Sequence, residues 1–295
     1  MLSYQPTPIL QLRNELLDDA GVQLLCKRED LNHPDISGNK WWKLKYNLEE
    51  ATRQEKKTLL TFGGAYSNHI YATAAASHES GFKSVGIIRG EETLPLNKTL
   101  AFAQHCGMQL HYISRTQYRE KNNPSFIQEL HNKFGDFYLI PEGGTNEFAV
   151  KGCAEFGKQL LQEIEFDYLC LPVGTGGTIT GIIAGLEGKK EVVGFPVLKG
   201  GDFLKDEIEK LLQKYSNTSY GNWHLDASYH HGGYAKATPA LLDFVKLMND
   251  KHNLPLDAVY TGKLLWAVMD YVRQGKFRRG STVLVVHTGG LQAVG

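Results

Sequence analysis

Four short apolar runs in this chain each stop at glycines. Residues 58–62 end at Gly63-Gly64, 137–140 at Pro141-Glu142-Gly143-Gly144, 168–173 at Gly174-Thr175-Gly176-Gly177-Thr178, and 282–286 at His287-Thr288-Gly289-Gly290. Further strand-like runs cover 22–27, 84–88, 108–113 and 192–197. Helical patterns lie between them at 39–57, 69–80, 97–105, 125–134, 147–164, 179–186, 203–214, 239–249 and 264–272. Residues 4–17 read as extended and then briefly helical, and 215–237 as irregular. Short apolar strands alternating with helices specify a parallel sheet covered on both faces. Ligands of such sheets collect at the carboxyl ends of the strands, so the four glycine turns can face one crevice. With no repeat and no linker, a second domain must be interleaved with the first. The expected class is therefore α/β.

The totals exclude several functions. The chain has 295 residues, 42% hydrophobic and 22% charged, with a formal net charge of zero. That is enough for one large or two modest domains. It leaves no electrostatic footprint for nucleic acid or an anionic membrane. No apolar run is long enough to span a bilayer, and no basic and apolar leader is read at the N-terminus. Cys26, Cys106, Cys153 and Cys170 lack metal-type spacing; Cys26 and Cys170 read as buried thiols, and a reducing cytoplasm fits. His224, His230 and His231 read as loop residues, so no metal is expected.

Lys40 opens the helical pattern that follows Ser37-Gly38-Asn39. A helix N-terminus is electropositive and discourages a second positive charge. An amine there loses its proton more readily and can join an aldehyde as a Schiff base, though a solvated surface lysine is the plain alternative. Gly174, Thr175, Gly176, Gly177 and Thr178 lie between a strand and a helix. Such a loop either cradles a phosphate on its amides or is simply a tight turn. It is not a P-loop, and Ile179 stands where the third glycine of a dinucleotide fingerprint belongs. Ser67 or Asn68 either caps the next helix or holds an anion such as a substrate carboxylate. A helix-borne lysine, a phosphate loop and a hydroxyl-rich loop together describe pyridoxal phosphate and an amino acid.

The run Lys27-Arg28-Glu29-Asp30-Leu31, then Gly38-Asn39-Lys40 and Lys43-Leu44, resembles the 1-aminocyclopropane-1-carboxylate deaminase / D-cysteine desulfhydrase family. Gly63-Gly64 with Ser67-Asn68-His69, the 174–178 loop, Tyr260-Thr261-Gly262-Lys263 and His287-Thr288-Gly289-Gly290 match its motifs in order. The resemblance spans nearly the whole chain. It implies the type II pyridoxal-phosphate fold: two open, twisted, mostly parallel sheets flanked by helices, in interleaved domains. Residues 1–46 and 147–295 would form the large domain and 47–146 the small one. It also implies a homodimer. Lys40 would be the Schiff-base lysine and the base for the α-proton. Asn68 would bond the cofactor's phenolic oxygen, Ser67 the substrate carboxylate, and the 174–178 loop the phosphate. Tyr234 and Tyr260 would line the substrate side.

Departures from the family pattern sharpen the expectation. Ser37 replaces a glycine, Trp42 stands where arginine is common, and Tyr66 where glutamine is common. Thr261 stands where the deaminases carry a glutamate beside the pyridine nitrogen. A hydroxyl from Thr261 or Thr288 would leave that nitrogen mostly neutral and the ring a weaker electron sink. That favours loss of a good β-leaving group over cyclopropane opening. The leading expectation is a lyase converting D-cysteine to pyruvate, ammonia and sulfide. Alternatives are 1-aminocyclopropane-1-carboxylate deamination, a serine-type β-elimination, or a non-catalytic cofactor- or metabolite-binding protein whose two tryptophans block the substrate.

Overall fold

The computed structural model describes residues 2–293. Its strands are β1 (Ile9–Leu12), β2 (Gln23–Lys27), β3 (Thr58–Gly64), β4 (Lys83–Arg89), β5 (Met108–Ile113), β6 (Tyr138–Ile140), β7 (Tyr168–Val173), β8 (Glu191–Pro196), β9 (Trp223–Leu225) and β10 (Thr282–Val286). Its helices are α1 (Glu15–Ala20), α2 (Asn39–Arg53), α3 (Asn68–Glu79), α4 (Lys98–His105), α5 (Arg115–Arg119), α6 (Pro124–Phe134), α7 (Glu147–Glu163), α8 (Gly177–Leu186), α9 (Leu204–Ser216), α10 (Pro239–His252) and α11 (Thr261–Arg273).

Two sheets result. The larger has the order β1-β2-β10-β7-β8-β9, and the smaller β5-β4-β3-β6. Every pairing is parallel except β1 with β2, which is antiparallel. Strand alternation sorts the large sheet's faces. Leu169, Leu171, Val173, Leu284 and Val286 pack against α7, α8 and α9. Cys170, Val283 and Val285 point the other way, towards α1, α10 and α11. The small sheet sends Leu60, Phe62, Val85 and Ile87 towards α5 and α6, and Ile88 and Met108 towards α3 and α4. Each fully buried aliphatic side chain in these layers contributes roughly 1.5–3 kcal/mol.

Some elements depart from the expected boundaries. Helix α2 ends at Arg53 rather than near 57, and Glu55 takes a φ of 55°, which a right-handed helix cannot include. The stretch expected to be irregular, 215–237, contains β9, which pairs in parallel with β8 at the sheet edge. The short α5 carries a Ser114–Gln117 capping box that apolar periodicity alone does not show.

Helices α7 and α8 pack unusually close. A Cβ on Gly181 would lie 2.3 Å from the Cβ of Cys153, and one on Gly185 would lie 2.1 Å from the Ala154 carbonyl oxygen. Only glycine permits this seam, which sets the start of α8 against α2.

Candidate active site

All four glycine turns open on one cavity of about 800 Å³ between the two sheets. Gly64 after β3, Gly143 after β6, Gly174 and Gly176 after β7, and Gly289 and Gly290 after β10 all line it. The arrangement therefore assembles at strand ends, as parallel sheets dictate.

Lys40 reaches the cavity because of what Gly38 does. Gly38 has φ 70°, and a Cβ there would sit 2.0 Å from the Thr288 carbonyl oxygen. The loop before α2 thus lies directly on the turn after β10, fixed by Gly38 N–H to Glu29 O at 2.9 Å and to Asn32 Oδ1 at 2.9 Å. Lys40 Nζ donates to Asn39 Oδ1 at 3.1 Å, and its pKa is lowered to about 8. Desolvation is the leading cause. The expected helix-end effect is therefore not the main one.

Lys43, one helical turn on, is a site residue that sequence reasoning passed over. Its Nζ donates to Gly143 O at 2.5 Å, to Thr145 Oγ1 at 3.0 Å and to Thr175 Oγ1 at 3.5 Å. Burial, and then the neighbouring Lys40, lower its pKa to about 7. The available signal was its i, i+3 spacing from Lys40, which puts both amines on one helix face. Beside it, α8 begins at Gly176 with φ 83° and has no side-chain cap. Its first amides therefore have no side-chain acceptor where Gly176, Thr178 and Ile179 line the cavity, which suits an anion. Thr178 Oγ1 accepts from Asn39 Nδ2 at 2.9 Å, which ties the loop to the lysine helix.

The opposite wall carries the hydroxyl-rich loop. Ser67 caps α3, accepting from His69 N at 3.2 Å and Ile70 N at 3.3 Å, and also lines the cavity. Asn68 Oδ1 accepts from Gln292 Nε2 at 3.0 Å. His69 is buried, and burial followed by the charges of Lys40 and Lys43 holds its pKa well below 6.5. Tyr260 and Tyr234 both line the cavity, with hydroxyls 3.5 Å apart. Burial raises the Tyr260 hydroxyl well above its ordinary pKa of 10, so it stays a donor.

Two expectations need correction. Thr261 is not among the cavity-lining residues. Its hydroxyl donates to Asp257 Oδ2 at 2.7 Å and accepts from Asp257 N at 2.9 Å. Of the two candidate hydroxyls, Thr288 is the one that lines the cavity. The tryptophans do not block it either. Trp42 is buried away from the cavity, donating Nε1–H to Glu29 Oε2 at 2.7 Å and stacking on Phe156 at 5.1 Å, and Trp41 packs edge-on against Trp42. Among the described residues, no group of three or more His, Cys, Asp or Glu side chains could hold a metal, and no helix is long and apolar enough to cross a membrane.

The donor set fits a phosphorylated aldehyde. An uncapped helix end and Lys43 would take the phosphate, and Lys40 is an amine with a usable neutral fraction near pH 8. A family model described as pyridoxal-phosphate dependent enzyme matches residues 1–289. The chain belongs to this family. Its cofactor is pyridoxal phosphate, for which Lys40, Lys43 and the 174–178 loop are the fitting residues. The chain is 30% identical to a mitochondrial bifunctional D-cysteine desulfhydrase/1-aminocyclopropane-1-carboxylate deaminase of Arabidopsis thaliana, over 98% of this chain and 77% of the relative. It is 26% identical to a D-cysteine desulfhydrase of Salmonella typhi, over 98% of this chain and 93% of the relative. A solved structure of an ACC deaminase homologue superposes with a TM-score of 0.86 at 26% identity, covering 99% of this chain and 91% of that one. The expected type II fold is thus found in this pyridoxal-phosphate dependent enzyme.

Proposed function

We propose that this enzyme is a lyase for small amino acids, with α,β-elimination of D-cysteine to pyruvate, ammonia and sulfide as its leading reaction. The carrying observation is the pair of depressed lysines on one face of α2, one open to the cavity and the other bonded to the phosphate loop. When bound, the cofactor draws electrons from the substrate α-carbon. Lys40, released to the substrate side with a pKa near 8, takes the α-proton. The Ser67 hydroxyl would hold the substrate carboxylate, and Asn68, steadied by Gln292, would bond the cofactor's phenolic oxygen. Tyr260, kept protonated by burial and paired with Tyr234, donates to the departing sulfur as the C–S bond breaks. The remaining three-carbon fragment takes up water to give pyruvate and ammonia.

Elimination would be favoured over cyclopropane opening if Thr288, the cavity-lining hydroxyl of the pair, met the pyridine nitrogen in place of a free carboxylate. Asp257, the carboxylate on that wall, already accepts from the Val259, Tyr260 and Thr261 amides and the Thr261 hydroxyl. A nitrogen facing a hydroxyl stays mostly neutral. Deamination of 1-aminocyclopropane-1-carboxylate is the second reading, favoured by the double name of the Arabidopsis thaliana relative. We also place residues 1–46 and 147–295 in a large domain and 47–146 in a small one. We further assign a homodimer in the cytoplasm, where free thiols such as Cys26, Cys106, Cys153 and Cys170 persist.

A keto-acid assay across both cysteine enantiomers and 1-aminocyclopropane-1-carboxylate tests the reaction. Pyruvate and sulfide from D-cysteine are expected. Comparable 2-oxobutanoate from the cyclopropane substrate would transfer the assignment to the second reading. Borohydride reduction followed by peptide mapping is expected to leave the cofactor on Lys40, and a label on Lys43 or elsewhere would overturn the lysine assignment.

A further inference from the structure

Three cations line the cavity: Lys40, Lys43 and Arg89. The first two are accounted for by the cofactor site. Arg89 is the last residue of β4, and the parallel register sets it beside Gly64, three residues before Ser67. Its Nη2 lies 3.5 Å from where a Gly64 Cβ would be, so the guanidinium spreads over the loop that carries Ser67. The buried Tyr118 ring lies beneath it, its centroid 5.6 Å from Arg89 Cζ and within cation–π range.

The acids on the cavity wall are committed elsewhere. Asp35 accepts from Tyr71 Oη at 3.1 Å. Glu142 accepts from Tyr118 Oη at 2.7 Å and pairs with Lys121 at 3.4 Å. Asp257 caps α11. Among the described residues, no carboxylate lies within salt-bridge distance of Arg89. An arginine supported on an aromatic face, with its fork open to a cleft, suits a carboxylate or other oxyanion.

We infer that Arg89 reads an anionic group on the substrate side chain, extending the substrate class to amino acids with a carboxylate, sulfonate or phosphate at the β-position. This rests on the proposed reading of the cleft as an amino-acid site. The Ser67 hydroxyl takes the α-carboxylate, and Arg89, one strand over, takes the second anion.

Holoenzyme is titrated with the D- and L-enantiomers of aspartate and asparagine, near-isosteric side chains of which only aspartate's is charged, and cofactor absorbance is followed. Aspartate of the accepted enantiomer is expected to bind at least about tenfold more tightly than asparagine. Arg89→Gln brings that ratio close to one, and Arg89→Lys restores part of it. Binding of all four without regard to charge, or a ratio unchanged by Arg89→Gln, overturns this inference alone. Indifference to all four overturns it together with the amino-acid reading.

Discussion

Lys40 and Lys43 stand three residues apart, and each has lost affinity for its proton to burial rather than to an ion partner. For Lys43 the folded pKa is about 7 against an ordinary 10.5. Between those values the unfolded chain holds a proton that the folded chain does not, so the cofactor-free protein gains stability as pH rises across this window. The gain is lost as pH falls through 7. Lys43→Met is expected to flatten the climb in thermal midpoint between pH 7 and 10, and an unchanged climb would show that Lys43 is not its source. A dianionic phosphate reverses the preference. Cofactor binding at pH 8 should therefore be accompanied by proton uptake, measured by calorimetry in two buffers of different ionisation enthalpy. Trp42 supplies a second case. In place of a charged arginine, its indole N–H meets Glu29, which also accepts from Thr7 and Asn32. Trp42→Phe keeps the packing and removes one donor, so chemical denaturation should show a loss of about 1–3 kcal/mol. The sequence marks Trp42 as a departure but does not say which way it points. It names Thr261 and Thr288 without showing that Asp257, four residues before Thr261, claims the first hydroxyl.

At the scale of elements, the α7–α8 seam and the segment around Tyr234 decide how well the site is held. Gly185→Ala would press a methyl group into the Ala154 carbonyl, and the expected cost is about 1–3 kcal/mol of stability, seen as a lower thermal midpoint with and without cofactor. Because α8 follows the 174–178 loop proposed to hold the phosphate, weaker cofactor retention should accompany it. Tyr234 sits among backbone that bends left-handed at His231, Gly232, Gly233 and Ala235. Lys263, buried in α11, steadies this segment by donating to Gly233 O at 2.8 Å. Lys263→Met should quicken proteolytic cleavage near residue 233 and raise KM more than it lowers kcat. Equal cleavage rates would count against that tether. Strands such as β7 and β10 are plain in the sequence because each is a five- or six-residue apolar run closed by glycine. The three residues of β9 are only partly buried or exposed, and pair along one edge, so no periodicity announces them.

For the molecule as a whole, the decisive fact is that two sheets point their carboxyl ends at one cavity. Strand–helix alternation made a covered parallel sheet legible in advance, and the division into two sheets was expected only from the family resemblance. The antiparallel β1–β2 pairing was not, because two adjacent short strands carry no sign of direction. Nor did the sequence show that Lys43 would bond both Gly143, after the small sheet's β6, and Thr175, after the large sheet's β7. A cofactor held at that junction should stabilise both sheets together. At a hundredfold excess over Kd the gain is about 2.7 kcal/mol, and it should become independent of free cofactor after borohydride reduction.

Strand β10 lies between β2 and β7, and its following turn supports the loop before Lys40. Yet it is built from residues 282–286 of a 295-residue chain. On the ribosome, residues 58–140 emerge with all four strands of the small sheet and can close it at once. The large sheet keeps a gap at its middle until residues 282–286 follow. Lys40 precedes by about 240 residues the strand whose turn supports its loop, so a chain lacking residues 282–290 has the lysine but no floor beneath it.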